Sequence, residues 1–397
     1  MPSMPGLPRS QGEAAEAALE PDVTESSHSN AQGHVEGTPG ASGTHGRTPM
    51  PSDKHTPLPL IRIAMGLYES QVLRAGIELR LFEHLAAGPA TAAELEKACG
   101  LHPTLSGDFL NALVAMDLLE RDGSHYEMPA RTAAHLDPRS PGYIGGALAF
   151  MQRQYPVWSD VTGNLRSGKA LIDDLPGDIF MSGPYRTQQS TRGFAEGMDG
   201  LVTLFDGPLA QSFRWEQVTS FTDLGGCRGR LALKLAAAYP NLRAVVFDLP
   251  PLRPLFDELL QSAATDEPDE AGGAGLRSRV TFHAGDFFAD PLPETQVYLL
   301  GHILHDWKPD KRRLLVERAF EHLPPGGSLL VYDSMIDGTP EVDRLNYLRS
   351  LHMRMIAGSS EYTIADGIRQ LRDAGFTVED PVALNEGTTL LVGNKPG

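Results

Sequence analysis

The stretch Phe221-Thr222-Asp223-Leu224-Gly225-Gly226-Cys227-Arg228-Gly229 decides the fold. Its apolar lead-in, Val218 to Phe221, predicts a short buried strand, with Asp223 where that strand ends. Glycines follow, and Leu231 to Ala238 then predicts a helix. Strand, glycine turn and helix in that order form the unit at which α/β sheets bind ligands, beside the carboxyl ends of their strands. Glycine, lacking Cβ, lets the backbone come close to a ligand there. The next apolar run, Ala244-Val245-Val246-Phe247, ends in Asp248. That acid follows the turn by roughly 20 residues, the spacing of a carboxylate that grips a ribose diol.

The loop does not fit the G-x-G-x-x-G fingerprint of a pyrophosphate site. An acid precedes the glycines, so the loop faces a cationic or zwitterionic group. On the residues alone, an ordinary strand–helix turn of a Rossmann-like sheet stays open. The stretch resembles motif I of class I S-adenosylmethionine-dependent methyltransferases. Gly225 and Gly229 match its spacing, while Cys227 stands where a third glycine is common.

The chain has 397 residues with 34 basic and 51 acidic side chains, a net charge of −17. Such a balance argues against nucleic-acid or anionic-membrane partners, which need a basic footprint. The two cysteines, Cys99 and Cys227, cannot make a disulfide framework. A reducing, cytoplasmic compartment is therefore expected. No apolar run approaches the ~18 residues of a membrane span. The amino terminus lacks a basic segment followed by an apolar core, so no secretory signal is expected.

Residues 1–56 are rich in Pro, Gly, Ser, Thr and His, and predict a disordered tail. The spacing of His28, His34, His45 and His55 fits no metal site. Residues 57–145 predict a winged-helix module. Leu60 to Leu85 has helical apolar spacing, Thr91 to Glu94 is a capping box, and a third helix runs from Thr104 to Leu119. An Asp122-Gly123 turn then joins two short strands. The third helix has no Arg or Lys, so a structural role is favoured over DNA reading. Residues 146–210 predict a helical connector whose aromatics form core or line an apolar substrate pocket. From residue 211 to 397, strands and helices alternate, which implies a parallel sheet.

Asp223, Asp248, Asp286 and His305-Asp306-Trp307 fall at the carboxyl ends of successive predicted strands, on one rim of the sheet. The set resembles the plant-type small-molecule O-methyltransferases. Within that family it is nearest the hydroxyindole (acetylserotonin) O-methyltransferases and their bacterial relatives. Gly285 to Pro293, Leu304 to Trp307 and Pro324 to Val331 carry the later part of that resemblance, which spans Pro57 to Val392. It implies an α/β Rossmann-like methyltransferase domain behind a winged-helix dimerisation domain, and a homodimer. By the resemblance, Asp223, Gly225, Gly226, Asp248, Leu249, Asp286 and Phe287 bind S-adenosylmethionine. Asp248 takes the ribose hydroxyls, Asp286 the adenine side and Gly225 the methionine part. It also implies His305 as general base, with Asp333 and Glu361 as acids near it. His352 and Ile356 depart from the polar residues of the indole-type enzymes, and Gly301 from a lysine of the plant enzymes.

The chemistry is consistent with this. A phenol with a pKa of about 10 must lose its proton as it attacks, and a histidine with a pKa near ~6.5 can take it. A carboxylate on the other ring nitrogen fixes the tautomer. No divalent-metal pattern is present, so a metal-independent enzyme with a small aromatic hydroxyl substrate is expected. Asp306 is read equally as an N-cap of the next helix. Two other readings compete: a winged-helix ligand-sensing regulator, and a catalytically silent S-adenosylmethionine-binding protein.

Overall fold

The computed structural model describes residues 56–175, 179–263 and 275–397. The tail expected over residues 1–56 lies outside them except for Thr56, as does the acidic, glycine-rich stretch before Gly275. The long first helix is in fact two. Helix α1 (Leu58–Glu78) stops where Arg80 turns left-handed at φ 56°, and α2 (Leu81–Leu85) follows. Next come β1 (Ala90–Thr91), α3 (Ala92–Cys99) and α4 (Pro103–Ala115). The capping box forms: Thr91 Oγ1 accepts from the Glu94 N–H at 3.3 Å, and Glu94 Oε2 accepts from the Thr91 N–H at 2.7 Å. Helix α4 ends before Leu119 because Asp117 adopts φ 58°, which turns Leu119 into the local core. Strands β2 (Glu120–Asp122) and β3 (His125–Glu127) form the wing, and β1 pairs with β3.

Leu81, Phe82, Leu95, Leu110 and Leu113 bury the inner side of this module. The outer side of α1 leaves Leu60, Ile63 and Tyr68 exposed, at 72%, 66% and 65%. Helices α5 (Ala130–Leu136), α6 (Gly145–Arg153), α7 (Tyr155–Ser159), α8 (Val161–Ser167), α9 (Ile179–Ser182), α10 (Gln188–Val202) and α11 (Asp206–Gln211) follow.

The sheet begins at β4 (Ser220–Leu224), slightly later than the apolar run suggested, because Val218 still closes a turn on Trp215. Asp223 therefore lies inside the strand. Helix α12 (Arg230–Ala238), β5 (Arg243–Asp248), α13 (Arg253–Ala263), α14 (Leu276–Arg279), β6 (Val280–Ala284) and β7 (Val297–Gly301) come next. The chain ends with α15 (Pro309–His322), β8 (Ser328–Asp333), α16 (Arg344–Ala357), α17 (Ile364–Asp373), β9 (Thr377–Val378), β10 (Val382–Asn385) and β11 (Thr388–Asn394).

The eight-stranded sheet has the order β10-β11-β8-β7-β4-β5-β6, with β9 also on β11. Strands β4 to β8 are parallel, as alternation implied. The last strands are not: β11 runs antiparallel to β8, β9 and β10, since the tight turn from β10 must reverse the chain. The sheet is mixed. The chain builds β4, β5 and β6 to one side, then returns to the other side of β4 for β7. That reversal is the switch point where a doubly wound sheet opens a ligand crevice.

Candidate active site

The glycine turn is shaped by close approach. Gly225 has φ 78°, and a Cβ there would lie 2.3 Å from Ile303 Cδ1 and 3.6 Å from the Phe287 ring. Asp223 and Asp248 are both buried. Asp248 ends β5, and its two oxygens accept from the Cys227 N–H at 2.8 Å and the Leu249 N–H at 2.7 Å. Burial pushes its carboxyl up to about 7. Burial, then the Asp248 charge, pushes Asp223 up to about 7 too. Cys227 tolerates φ 54° where glycine is common, and its N–H is what holds Asp248. Gly226 lies over the Asp223 carboxyl, where a Cβ would come within 2.6 Å. Asp286 is half-buried and accepts from the Phe288 N–H at 2.8 Å. The seven residues expected at a cofactor site thus line the ends of β4, β5 and β6 and the turns after them.

His305 lies in a 3-10 turn, Leu304–Asp306, after β7. Its Nδ1 is 2.9 Å from Glu361 Oε1, and its Nε2 is 3.6 Å from Asp306 Oδ1. A carboxylate only accepts, so Nδ1–H donates to Glu361. Asp306 is not an N-cap, because Lys308 takes that place before α15. Asp333 ends β8, fully buried; its Oδ2 accepts from the Tyr362 hydroxyl at 2.6 Å, and its Oδ1 has no partner. Asp333 does not touch His305. It lies 4.0 Å from His302 Nδ1, and the His302 and His305 rings are 5.4 Å apart. Ligand atoms of His302, His305 and Asp333 lie within 4.8 Å of one another, the one such cluster among the described residues.

Burial pulls the His305 pKa down, but the charges of Glu361 and Asp306, with Asp333 behind them, lift it to about 10. This departs from the ordinary value expected above, and the cause is the number of acids gathered at one strand end. Burial and the His305 charge push His302 well below its ordinary value. The two histidines therefore differ: burial favours the neutral form of His302, and the gathered acids favour the charged form of His305. Burial raises Asp333 to about 7 and Asp306 to about 6.

Several members of this network carry no sequence signal of their own. Arg312, buried in α15, donates to the carbonyls of Trp307, at 2.7 Å, and of Ser360, tying the His305 turn to the Glu361 loop. Tyr362 holds Asp333. Trp158 Nε1–H donates to His352 Nδ1 at 3.1 Å, with the rings stacked, which leaves the His352 proton on Nε2.

Residues 61–134 match the O-methyltransferase dimerisation domain and residues 158–377 the O-methyltransferase domain. The tetracenomycin polyketide synthesis 8-O-methyl transferase of Streptomyces glaucescens is 39% identical over 340 residues, 85% of this chain and 96% of that protein. The N,N-dimethyltransferase OxyT of Streptomyces rimosus is 34% identical over 342 residues, again 85% of this chain and 96% of that protein. The crystal structure of human N-acetylserotonin methyltransferase in complex with S-adenosylmethionine superposes with a TM-score of 0.75 and 26% identity, covering 88% of this chain and 100% of that one. A switch-point crevice with acids on its strand ends, behind a dimerisation domain, places this chain in the O-methyltransferase family, as an S-adenosylmethionine-dependent enzyme of the class I fold.

Proposed function

We propose that the enzyme methylates a hydroxyl of a small aromatic molecule, a phenol, hydroxyindole or polyketide, with His305 as general base. The observation that carries this is the 2.9 Å contact between His305 Nδ1 and buried Glu361 beside the switch point. S-adenosylmethionine supplies, when bound, an electrophilic methyl carbon on a sulfonium. The residues present fit it: Gly225 leaves a cradle that a Cβ would close, and each Asp248 oxygen keeps a lone pair for a ribose hydroxyl. Asp223, Gly226, Leu249, Asp286 and Phe287 complete that side.

Glu361 holds Nδ1–H, so in the neutral form of His305 that acts as base Nε2 is the accepting nitrogen, and Asp306 and Asp333 stabilise the imidazolium that results. A hydroxyl must shed a proton as it attacks, so a base is useful; a neutral amine attacks through a lone pair it already has. The His305–Glu361 pair therefore favours oxygen over nitrogen as acceptor. The reading needs no divalent ion, because the histidine handles the proton. Incubation with labelled S-adenosylmethionine, excess chelator and paired phenols and anilines tests this. Label entering the phenols supports it; label entering only the anilines contradicts it.

Replacing Asp248 with Ala is expected to weaken cofactor binding by about 1.5–3 kcal/mol, the range for hydrogen bonds to a charged group. Calorimetry with undiminished affinity would remove the ribose assignment.

Residues 57–145 serve as the dimerisation module, 146–210 as a connector that contributes to the acceptor pocket, and 211–397 as the catalytic domain. The exposed apolar side of α1 supports a homodimer, since one module cannot cover it alone. Removal of residues 1–55 is expected to leave dimer and activity intact, and a monomer in light scattering at micromolar concentration would contradict this. The two free cysteines support a cytoplasmic setting. No helix of the described residues is long and apolar enough to cross a membrane. A winged-helix regulator and a silent binding protein are not favoured: helix α4 carries no Arg or Lys, and the His305 network is intact.

A further inference from the structure

We infer that Tyr332 is a cofactor-binding residue: from β8 it reaches across Gly301 and closes the methionine end of the cleft. The sheet register carries the argument. Asp223 pairs with Leu299, and Gly301 with Tyr332. Side chains alternate along a strand and paired residues share a face. Asp223, Leu299, Gly301 and Tyr332 therefore lie on one face of the sheet, at its ligand-binding rim. Val246 pairs with Asp223, so Asp248 lies on that face as well.

The Tyr332 ring does not stand upright over β8. A Cβ placed on Gly301 would fall 1.9 Å from Tyr332 Cζ and 2.0 Å from its hydroxyl oxygen. The phenol thus lies over β7, the strand between β8 and β4, in space that any other residue at 301 would fill. Gly301 and Tyr332 make one feature. Phe205 and His302 hold the ring from its other sides, at centroid distances of 4.8 and 5.6 Å.

The hydroxyl itself has no hydrogen-bond partner among the described residues, and it is not among their fully buried orphan atoms. It therefore keeps some exposure of its own, although the residue is only 3% exposed. Burial keeps the phenol protonated, and the charges of Asp223, Asp333 and Asp206 act in the same direction. Asp206 is already paired with Lys234, but Asp223 and Asp333 near a neutral phenol make surroundings suited to a positive group. The methionine end of S-adenosylmethionine carries two, the ammonium and the sulfonium. The phenol oxygen offers either one a lone pair, and the ring offers a π-face.

The inference rests on the cleft assignment above, and calorimetry on the full chain separates the two. If the native enzyme binds neither S-adenosylmethionine nor S-adenosylhomocysteine, the cleft assignment fails first and takes this inference with it. If it binds, Tyr332→Phe is expected to bind about tenfold or more weakly, with an unchanged unliganded melting temperature and an unchanged acceptor KM. Loss toward both ligands identifies the ammonium as the contact, and loss toward S-adenosylmethionine alone identifies the sulfonium. Affinity for both within twofold of native overturns the inference. Gly301→Ala gives a second reading, because its Cβ must displace the phenol and lower affinity. Adding Tyr332→Leu to Gly301→Ala relieves the crowding and should not restore binding. Full recovery in that double variant would show that the pair only fills space, and would overturn the inference equally.

Discussion

His305→Gln is expected to slow methyl transfer by roughly 10²–10⁴, the usual worth of a general base, with cofactor affinity close to native. An amide cannot take up a proton at neutral pH, so the attacking hydroxyl loses its acceptor. The expected cofactor ligands sit on β4, β5 and the turn after β6, and none of them hydrogen-bonds to His305. Binding should therefore survive. The change removes a buried cation from beside Glu361, so a melting curve belongs next to the rate. A variant that turns over at the native rate would make His305 structural. One that also loses the cofactor would move it into the binding site.

Glu361→Gln is expected to move the pH profile and lower its plateau. The sign follows from His305: a base must be neutral to act, so kcat/KM falls as pH falls through its pKa. In the native enzyme that pKa is lifted to about 10, against burial, with the Glu361 charge and hydrogen bond acting upward. Removing the charge lets the His305 pKa fall, so the acidic limb should shift to lower pH. The plateau should drop by roughly 10²–10⁴. An amide can present N–H to Nδ1 and so place the proton on Nε2, the tautomer error that costs about 10⁴ in a serine-hydrolase triad. A limb that stays in place would show that Glu361 does not set the charge of His305.

Local chemistry made much of this legible. The glycine turn, the acids after each apolar run and the Thr91–Glu94 box are short-range patterns, and each forms near its expected place. Helix ends were less legible: the left-handed residues Arg80 and Asp117 break periodicity that looks continuous in sequence. The reversed strands at the end of the chain were hidden because alternation reveals that strands exist, not which way a hairpin sends them. The base network divides in the same manner. His305 and Glu361 lie 56 positions apart yet meet at 2.9 Å, and family resemblance, not spacing, joined them. The same resemblance put Asp333 near the base; the structure has it within 4.8 Å of His305, but hydrogen-bonded to Tyr362 and not to the ring. Nothing in the sequence pattern singled out Arg312 or Tyr332, because their surroundings arise from what packing brings beside them.

The central claim is that His305 removes the proton of the attacking hydroxyl. A series of substituted phenols of graded acidity, assayed at pH 7 with the native enzyme and His305→Gln, tests it most directly. An acidic phenol is already ionised and needs no base; a weakly acidic one depends on it. The account expects the deficit of the variant to shrink steadily as acceptors become more acidic, approaching the native rate for those ionised at the assay pH. A deficit of the same size for every phenol in the series would contradict it.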